Sequence, residues 1–233
     1  MTQNTTEPRG GTYSLEFANP GLLTLKDYPP QLHKVVAVPD AIGKELAHLH
    51  LHSLDLQKAA GYLDELDKRG YPPEGDTIND ALWNAALITM FKCFGTSRAR
   101  IKLDPTAIYT EDQLNEFRFW KSMRDKNIAH DDNDAFQAHV FAVLRKWQYV
   151  PSIDSVQVIV MEGVTLTEKN AAVLRDLLGT AREWVRGEEK RRQGETDAAM
   201  KRMSFEELDA LPPVRTTFTN HETVHRTRTT PPK

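Results

Sequence analysis

A stretch that is apolar nearly all round, from Ala81 to Phe94, constrains the fold of this chain more than any other feature. It lies within NDALWNAALITMFKCF, a segment that begins near Asp76 or Thr77 and ends at Gly95. A helix with a single apolar stripe lies on a protein surface, whereas a helix that is apolar around its circumference must be covered on every side. The stretch therefore predicts the central helix of a mainly α-helical fold.

Three further segments show the 3.6-residue period that is typical of amphipathic helices. The first begins at Asp40, ends before Gly70, and aligns its apolar residues on one face: Leu46, Leu49, Leu56, Ala60 and Leu63. The next is TEDQLNEFRFWKSMRDKNIAH, which Thr110 enters as N-cap. The last begins at Thr165 or Thr167. Its charged second half, EEKRRQGETDAAMKRM, predicts a solvated extension, and SFEELDAL predicts one more short turn of helix.

The apolar period changes after TEDQLNEFRFWKSMRDKNIAH, which is the third predicted helix along the chain. AHVFAVLR and SVQVIVME are rich in β-branched residues, and KWQYVPSID lies between them. This pattern predicts a small β-hairpin at about 138–161, with a long loop, inserted between the third and last long helices. Residues 13–38 carry short apolar runs broken by prolines, which indicate extended chain with one short strand.

The length of 233 residues predicts one domain with irregular ends. Residues 1–12 and 212–233 are polar and rich in Thr and Pro, so both predict disorder, and the single helical domain is expected at 13–211. No apolar run approaches the roughly 18–20 residues of a membrane span, and the N-terminus lacks the apolar core of a signal peptide. We therefore expect a soluble, cytoplasmic protein.

Charge and cysteine content exclude some classes of function. The net charge of −3, with a pI near 6.2, argues against a high-affinity, non-specific nucleic-acid binder, although it leaves RNA open as a transient substrate. With Cys93 as the single cysteine, neither a disulfide nor a cysteine-based metal site can form within one chain.

An arginine stands within the apolar face of the third helix. On a helical wheel Arg124 lies between Trp120 and Ile128, and His130 lies near the margin of the same arc. The other members of that arc are Leu114, Phe117 and Met123, with Phe119 at its edge. Because burial of a lone charge costs several kcal/mol, Arg124 requires a carboxylate, a bound anion or a water-filled cleft.

The stretch from Arg124 to His130, RDKNIAH, resembles the signature of HEPN domains. These are small helical bundles found in toxin–antitoxin, abortive-infection and CRISPR-associated ribonucleases. The family pattern is an Arg, often followed by a polar residue, with a His four to six residues further on; here five residues intervene and Asp125 follows the arginine. The resemblance is specific over about twenty residues and is compatible with the helical pattern of residues 40–186. The hairpin and both tails lie outside it.

The resemblance implies a HEPN-like helical bundle and metal-independent RNA cleavage in the cleft of a homodimer, without a cofactor. His130 is then the expected general acid or base, and Arg124 the group that stabilises the charged phosphorane. Asp125 would orient one of the two, and Asn127 and Lys126 would contact the RNA. For a toxin or phage-defence protein of this kind, an antitoxin or regulatory protein is an expected partner.

A non-catalytic interpretation is open as well. Arg124 could form an intramolecular salt bridge, and His130 would be favourably placed at the negative end of a helix. Between Thr110 and Asp134 seven acidic residues stand against four basic ones, a balance that does not attract phosphate by itself. The alternative is a HEPN-like helical module that binds a protein partner or a small ligand.

Two other clusters are weaker candidates. Arg98, Arg100 and Lys102 predict either a basic edge beside the RNA cleft or a solvated loop that ends a helix. His48 and His52 are one helical turn apart, but no third ligand accompanies them, so they are expected on the surface and no metal site is predicted. P-loop, Rossmann and serine-hydrolase motifs are absent from the sequence.

Overall fold

The computed structural model describes residues 15–19, 22–26, 34–72, 76–95, 100–128, 136–147, 150–162 and 165–215. Within these ranges the chain is mainly helical, as the sequence predicted, and it has two small two-stranded antiparallel sheets, of which one was expected. None of the described helices is long and apolar enough to cross a membrane. The chain forms two compact units: residues 1–48, 97–101 and 190–233 make the first, and residues 49–96 and 102–189 the second.

Helix α2, Thr77–Lys92, forms where the sequence predicted a helix and contributes one face to the core of the second unit, but it is not covered on every side as its apolar circumference predicted. Asp76 is its N-cap and accepts hydrogen bonds from the backbone N–H groups of Ile78 and Asn79, both at 2.9 Å. The helix buries one face, on which lie Trp83, Leu87, Met90 and Phe91, all at most 1% exposed, whereas Ile88 on another side is 47% exposed.

Three helices pack with α2 around the core of this unit. They are α1, Asp40–Arg69, from Leu49 onward; α4, Glu111–Met123; and α5, Glu168–Lys201, up to Glu189. Each helix buries one stripe against a common core, which includes Leu56 and Leu63 of α1, Leu114 and Phe117 of α4, and Leu174 and Leu178 of α5. A short helix α3, Pro105–Ile108, precedes α4. As predicted, α1 ends at Gly70, whose φ of 78° lies in the left-handed region that favours glycine.

An aromatic cluster fixes α4 against the C-terminal end of α2. The ring of Phe117 packs on those of Phe91, Phe94 and Tyr109, with centroid distances of 5.2, 4.7 and 5.2 Å. Trp120, further along α4, packs edge-to-face with Trp83 at 5.3 Å. These contacts bring the last turn of α4 beside the final carbonyl groups of α2.

The predicted hairpin is confirmed, with a shorter connection than expected. Strand β3, Phe136–Trp147, pairs in antiparallel register with β4, Val150–Glu162, and we call this pair the ribbon. Pairing continues to Trp147 and Val150, so only positions 148 and 149 lie between the strands and the predicted long loop is wrong. KWQYVPSID was interpreted as a loop because of its proline and its polar residues, but an uncovered ribbon tolerates both.

The first unit contains two strands where one was expected. β1, Leu15–Asn19, pairs with β2, Leu22–Leu25, in a second antiparallel hairpin. Isolated bridges join Leu22 to Arg215 and Val36 to Pro213. Ordered pairing thus includes the first positions of the predicted C-terminal tail, whereas the expected disorder of residues 1–12 and 216–233 lies outside the described residues.

The end of α5 also belongs to the first unit. Arg192 forms ion pairs with Glu45 and Glu195, and the Thr196 hydroxyl donates to the Ile42 carbonyl at 3.3 Å. The predicted solvated extension is mostly exposed, and it departs from the prediction at Thr196, which is buried. The short helix α6, Phe205–Asp209, follows as predicted, capped by Ser204.

Candidate functional site

The candidate site lies where α4 ends. Thr110 caps the start of this helix, and a reciprocal contact with Gln113 completes a capping box. At Met123 the α-helix gives way to a π-helical turn, Arg124–Ile128. Single π turns are rare in proteins and occur often at functional sites. The turn begins at the arginine of the predicted motif.

The guanidinium of Arg124 is held at two points. One terminal nitrogen, Nη1, lies 2.9 Å from Oδ1 of Asp125, and the other, Nη2, donates to the Phe91 carbonyl at 3.3 Å. This carbonyl belongs to the last turn of α2, where the helix dipole favours a cation. The side chain is 20% exposed, and its Nε–H is buried with no acceptor among the described residues.

Asp125 connects two cations. Its Oδ1 contacts Arg124, and its Oδ2 accepts a hydrogen bond from Lys121, four residues earlier on the same helix. The carboxylate is thereby shared, and neither cation receives its full charge. The acidic neighbour that the sequence predicted as an orienting group does contact Arg124.

The π turn limits what the helical wheel can predict. A wheel assumes 100° per residue, and a turn with i→i+5 hydrogen bonds departs from that angle. Positions after Met123 therefore do not follow the predicted arc. His130, the second residue of the motif, lies outside the described residues, as does the side chain of Asn127.

One of the remaining predicted binding residues lies on the turn itself. Lys126 is on the π turn and exposed. Arg98 lies outside the described residues, and Arg100 is partly buried in the first unit. Lys102 is exposed in the second unit. The basic edge therefore stays a prediction.

The two histidines of α1 that are one helical turn apart, His48 and His52, differ in environment. His52 is 1% exposed, so the expectation that both lie on the surface is wrong for this residue. It follows Leu49 by three positions and precedes Leu56 by four, which places it in the buried stripe. His48 accepts a hydrogen bond at Nδ1 from the backbone N–H of Ile101, at 3.1 Å. Within the described ranges no group of three His, Cys, Asp or Glu residues could hold a metal ion.

An open groove of about 750 Å³ runs along α5. It is lined by Ile108 of α3 and by residues of α5 that include Arg175, Asp176 and Trp184. Arg175 is paired with Asp67 at 2.6 Å, and Asp176 accepts a hydrogen bond from the Gln113 side chain at 2.8 Å. Arg175 and Asp176 therefore have partners within the chain. No residue of the predicted site lines the groove.

Lys121 and the Phe91 carbonyl are the parts of the site that sequence reasoning missed. The i,i+4 spacing of Lys121 and Asp125 was a usable signal for their pair. No sequence signal identifies a backbone carbonyl, because its position depends on how α2 and α4 pack. A scan against family models and searches of curated proteins and of solved structures found no match to this chain.

Proposed function

We propose that this protein is a HEPN-like, metal-independent endoribonuclease of the toxin or phage-defence type, with Arg124 and His130 as the reacting pair in a dimer cleft. The observation that carries the proposal is the partly exposed guanidinium of Arg124, oriented by Asp125 and the Phe91 carbonyl at a π-helical turn. A group that must stabilise a transition state is most effective when its orientation is fixed before the substrate arrives.

The donor count of Arg124 suits a phosphate. A guanidinium has five N–H bonds, and each terminal nitrogen carries two of them. One N–H of Nη1 is directed to Asp125 and one of Nη2 to Phe91, so each terminal nitrogen retains a second N–H. Two parallel N–H donors match two oxygens of a phosphate or a phosphorane.

The proposed reaction needs one group for charge and one for protons. The ribose 2′-oxygen attacks the adjacent phosphorus while its proton goes to a base, and the 5′-oxygen leaves with a proton from an acid. Histidine suits this transfer, since its ordinary pKa lies near neutrality. His130 takes this role, Arg124 stabilises the extra charge on the phosphorane, and the products are a 2′,3′-cyclic phosphate and a 5′-hydroxyl.

The test is cleavage of total RNA and tRNA by the purified protein in EDTA. Arg124→Lys retains the positive charge but loses the planar pair of donors, so we expect about 10²–10³-fold slower cleavage. His130→Ala is expected to slow cleavage by about 10²–10⁴-fold.

Arg118→Lys is the matched control. Arg118 is on the same helix but is 58% exposed and lies 3.7 Å from Glu111, so its replacement is expected to leave the rate unchanged. Circular dichroism and sedimentation must first show that each variant keeps the wild-type fold and oligomeric state. Wild-type rates in both motif variants would contradict the proposal.

A non-catalytic module is the second candidate, and the contact between Arg124 and Asp125 favours it. An arginine already paired with a carboxylate can serve the structure alone, as a cap on the last carbonyls of α2. If this candidate is correct, Arg124→Ala lowers stability while neither the wild type nor any variant cleaves RNA.

A further inference from the structure

The ribbon exposes apolar side chains along its whole described length. Paired residues of antiparallel strands project to the same face, and successive residues alternate between faces. On one face β3 contributes Ala138, Val140, Ala142 and Leu144. Opposite them β4 contributes Ile153, Val156, Val158 and Val160, with Asp154 as the extra residue at the irregularity in register. We call these eight residues the apolar face.

The two faces of the ribbon differ in chemistry. The eight residues of the apolar face are all apolar, and the six large ones are 55–71% exposed. Strand alternation from Val156 also places Asp154, the extra residue at the irregularity, on this side of the ribbon. The opposite face mixes apolar and polar residues, among them His139, Gln157 and Ser155. A mixed face is suited to water, whereas a purely apolar face left uncovered is a site of association. No described part of the chain covers it, since all eight residues are exposed.

We propose that the apolar face is a homodimer interface, in which the ribbons of two copies pack face to face in antiparallel orientation. A two-fold axis requires a surface that is complementary to itself, and an apolar surface whose described charge, Asp154, lies at one end meets that requirement when the two ends are kept apart. The terminal segments are poor candidates to cover it, because residues 1–14 and 216–233 contain only four large apolar residues: Met1, Tyr13, Phe218 and Val224.

The exposed area is sufficient for a dimer. Each of the six large side chains presents on the order of 100 Å² to solvent, so two copies would bury on the order of 1,200 Å². That value reaches the lower end of specific protein interfaces, which begin near 1,200 Å². A two-stranded sheet is marginally stable alone, so a second ribbon packed on it would also stabilise the strands themselves.

The described charge on this side of the ribbon favours antiparallel packing. Asp154 lies beside Ile153, at one end of the apolar face. Antiparallel packing keeps the Asp154 carboxylates of the two copies at opposite ends of the interface, whereas parallel packing brings these like charges together.

Sedimentation velocity of the full chain between about 1 and 100 µM tests the interface, since that range covers the affinity expected of a small interface. Val158→Lys places a charge in the apolar face, and we expect it to raise the dissociation constant of the dimer by more than about tenfold. Ile159→Lys is the matched control, one residue along the same strand on the opposite face, and we expect its dissociation constant within about threefold of wild type. A monomeric wild type, or equal effects of the two variants, would overturn the inference and leave the face to another partner.

Disulfide trapping tests the orientation. In antiparallel packing Ile153→Cys of one copy approaches Val160→Cys of another, because these residues lie near opposite ends of the apolar face. A mixture of the two variants should therefore form the mixed disulfide, whereas parallel packing would give disulfides within each variant alone. The readouts contain no RNA, so they are independent of the proposed chemistry. If Val158→Lys stays dimeric and cleaves RNA, the interface is refuted while the proposed function stands.

Discussion

Helix α2 and the ribbon are both rich in apolar residues, and they differ in how far their large side chains are buried. Trp83 and Leu87 of α2 are at most 1% exposed, whereas Val158 and Ile153 of the ribbon are 62% and 69% exposed. Three helices pack against one face of α2, and the described chain supplies no layer over the ribbon. Apolar content therefore predicts that a segment needs a cover, but it does not say whether the same chain provides it.

The largest expected effect is a difference between the two regions in the free energy of unfolding that one substitution removes. Leu87→Ala should lower the free energy of unfolding by about 2–5 kcal/mol, because it leaves a cavity in a packed core. Val156→Ala on the ribbon should lower it by less than about 0.5 kcal/mol when the chain is monomeric, since that side chain is already solvated. Denaturant titration at about 1 µM protein measures both. Equal losses would show that the ribbon is covered in the monomer and remove the distinction.

The next effect concerns the arginine at the edge of the core. Arg124→Ala should lower the free energy of unfolding by about 1–3 kcal/mol, because the Phe91 carbonyl and Asp125 lose a charged partner. Arg118→Ala, on the solvent side of the same helix, should change it by less than about 0.5 kcal/mol. The same titration compares them, and a neutral Arg124→Ala would show that its two contacts contribute nothing to the fold.

A smaller effect is expected at the start of α4. Thr110→Ala removes the acceptor for the Gln113 N–H and should lower the free energy of unfolding by about 1 kcal/mol. Thr110→Ser keeps the hydroxyl and should restore most of that loss. If serine fails to restore it, the capping box is not the source of the stability.

The smallest effect is a pH dependence at the start of α2. Hydrogen bonds from the Asn79 and Ile78 backbone N–H groups, with the charge of Arg69, lower the pKa of Asp76. A carboxyl whose folded pKa is lowered contributes stability above its unfolded pKa of about 3.9, and loses it as pH falls through the folded value. Asp76→Asn keeps a capping side chain that does not titrate. The stability difference from wild type should therefore be constant near pH 6 and shrink below about pH 4, and a difference independent of pH would contradict this assignment.

The features that sequence predicted well are those determined by local patterns. Nearby residues alone were sufficient to predict a helix at the apolar stretch of α2, the N-cap at Thr110 and the β-branched strands of the ribbon. The π turn at Arg124 was missed because it depends on how α4 ends against α2, which no local pattern encodes. The surface position predicted for His52 was wrong, because the sequence of an apolar stripe does not show whether a polar residue within it is buried.

The candidate site divides in the same way. The resemblance of RDKNIAH to the HEPN signature implied that Asp125 orients Arg124 or His130, and Asp125 does contact Arg124. The second anchor, the Phe91 carbonyl, comes from residues 33 positions away and requires the tertiary fold. Helix packing therefore supplies one of the two contacts that orient the guanidinium, and the motif supplies the other.

The most direct test of the proposed function is the chemistry of the RNA ends after cleavage in EDTA by wild type, Arg124→Lys and Arg118→Lys. We predict 2′,3′-cyclic phosphate and 5′-hydroxyl ends from the wild type and from Arg118→Lys, with almost no product from Arg124→Lys. Products with 5′-phosphate ends, or equal product from all three proteins, would contradict the role assigned to Arg124.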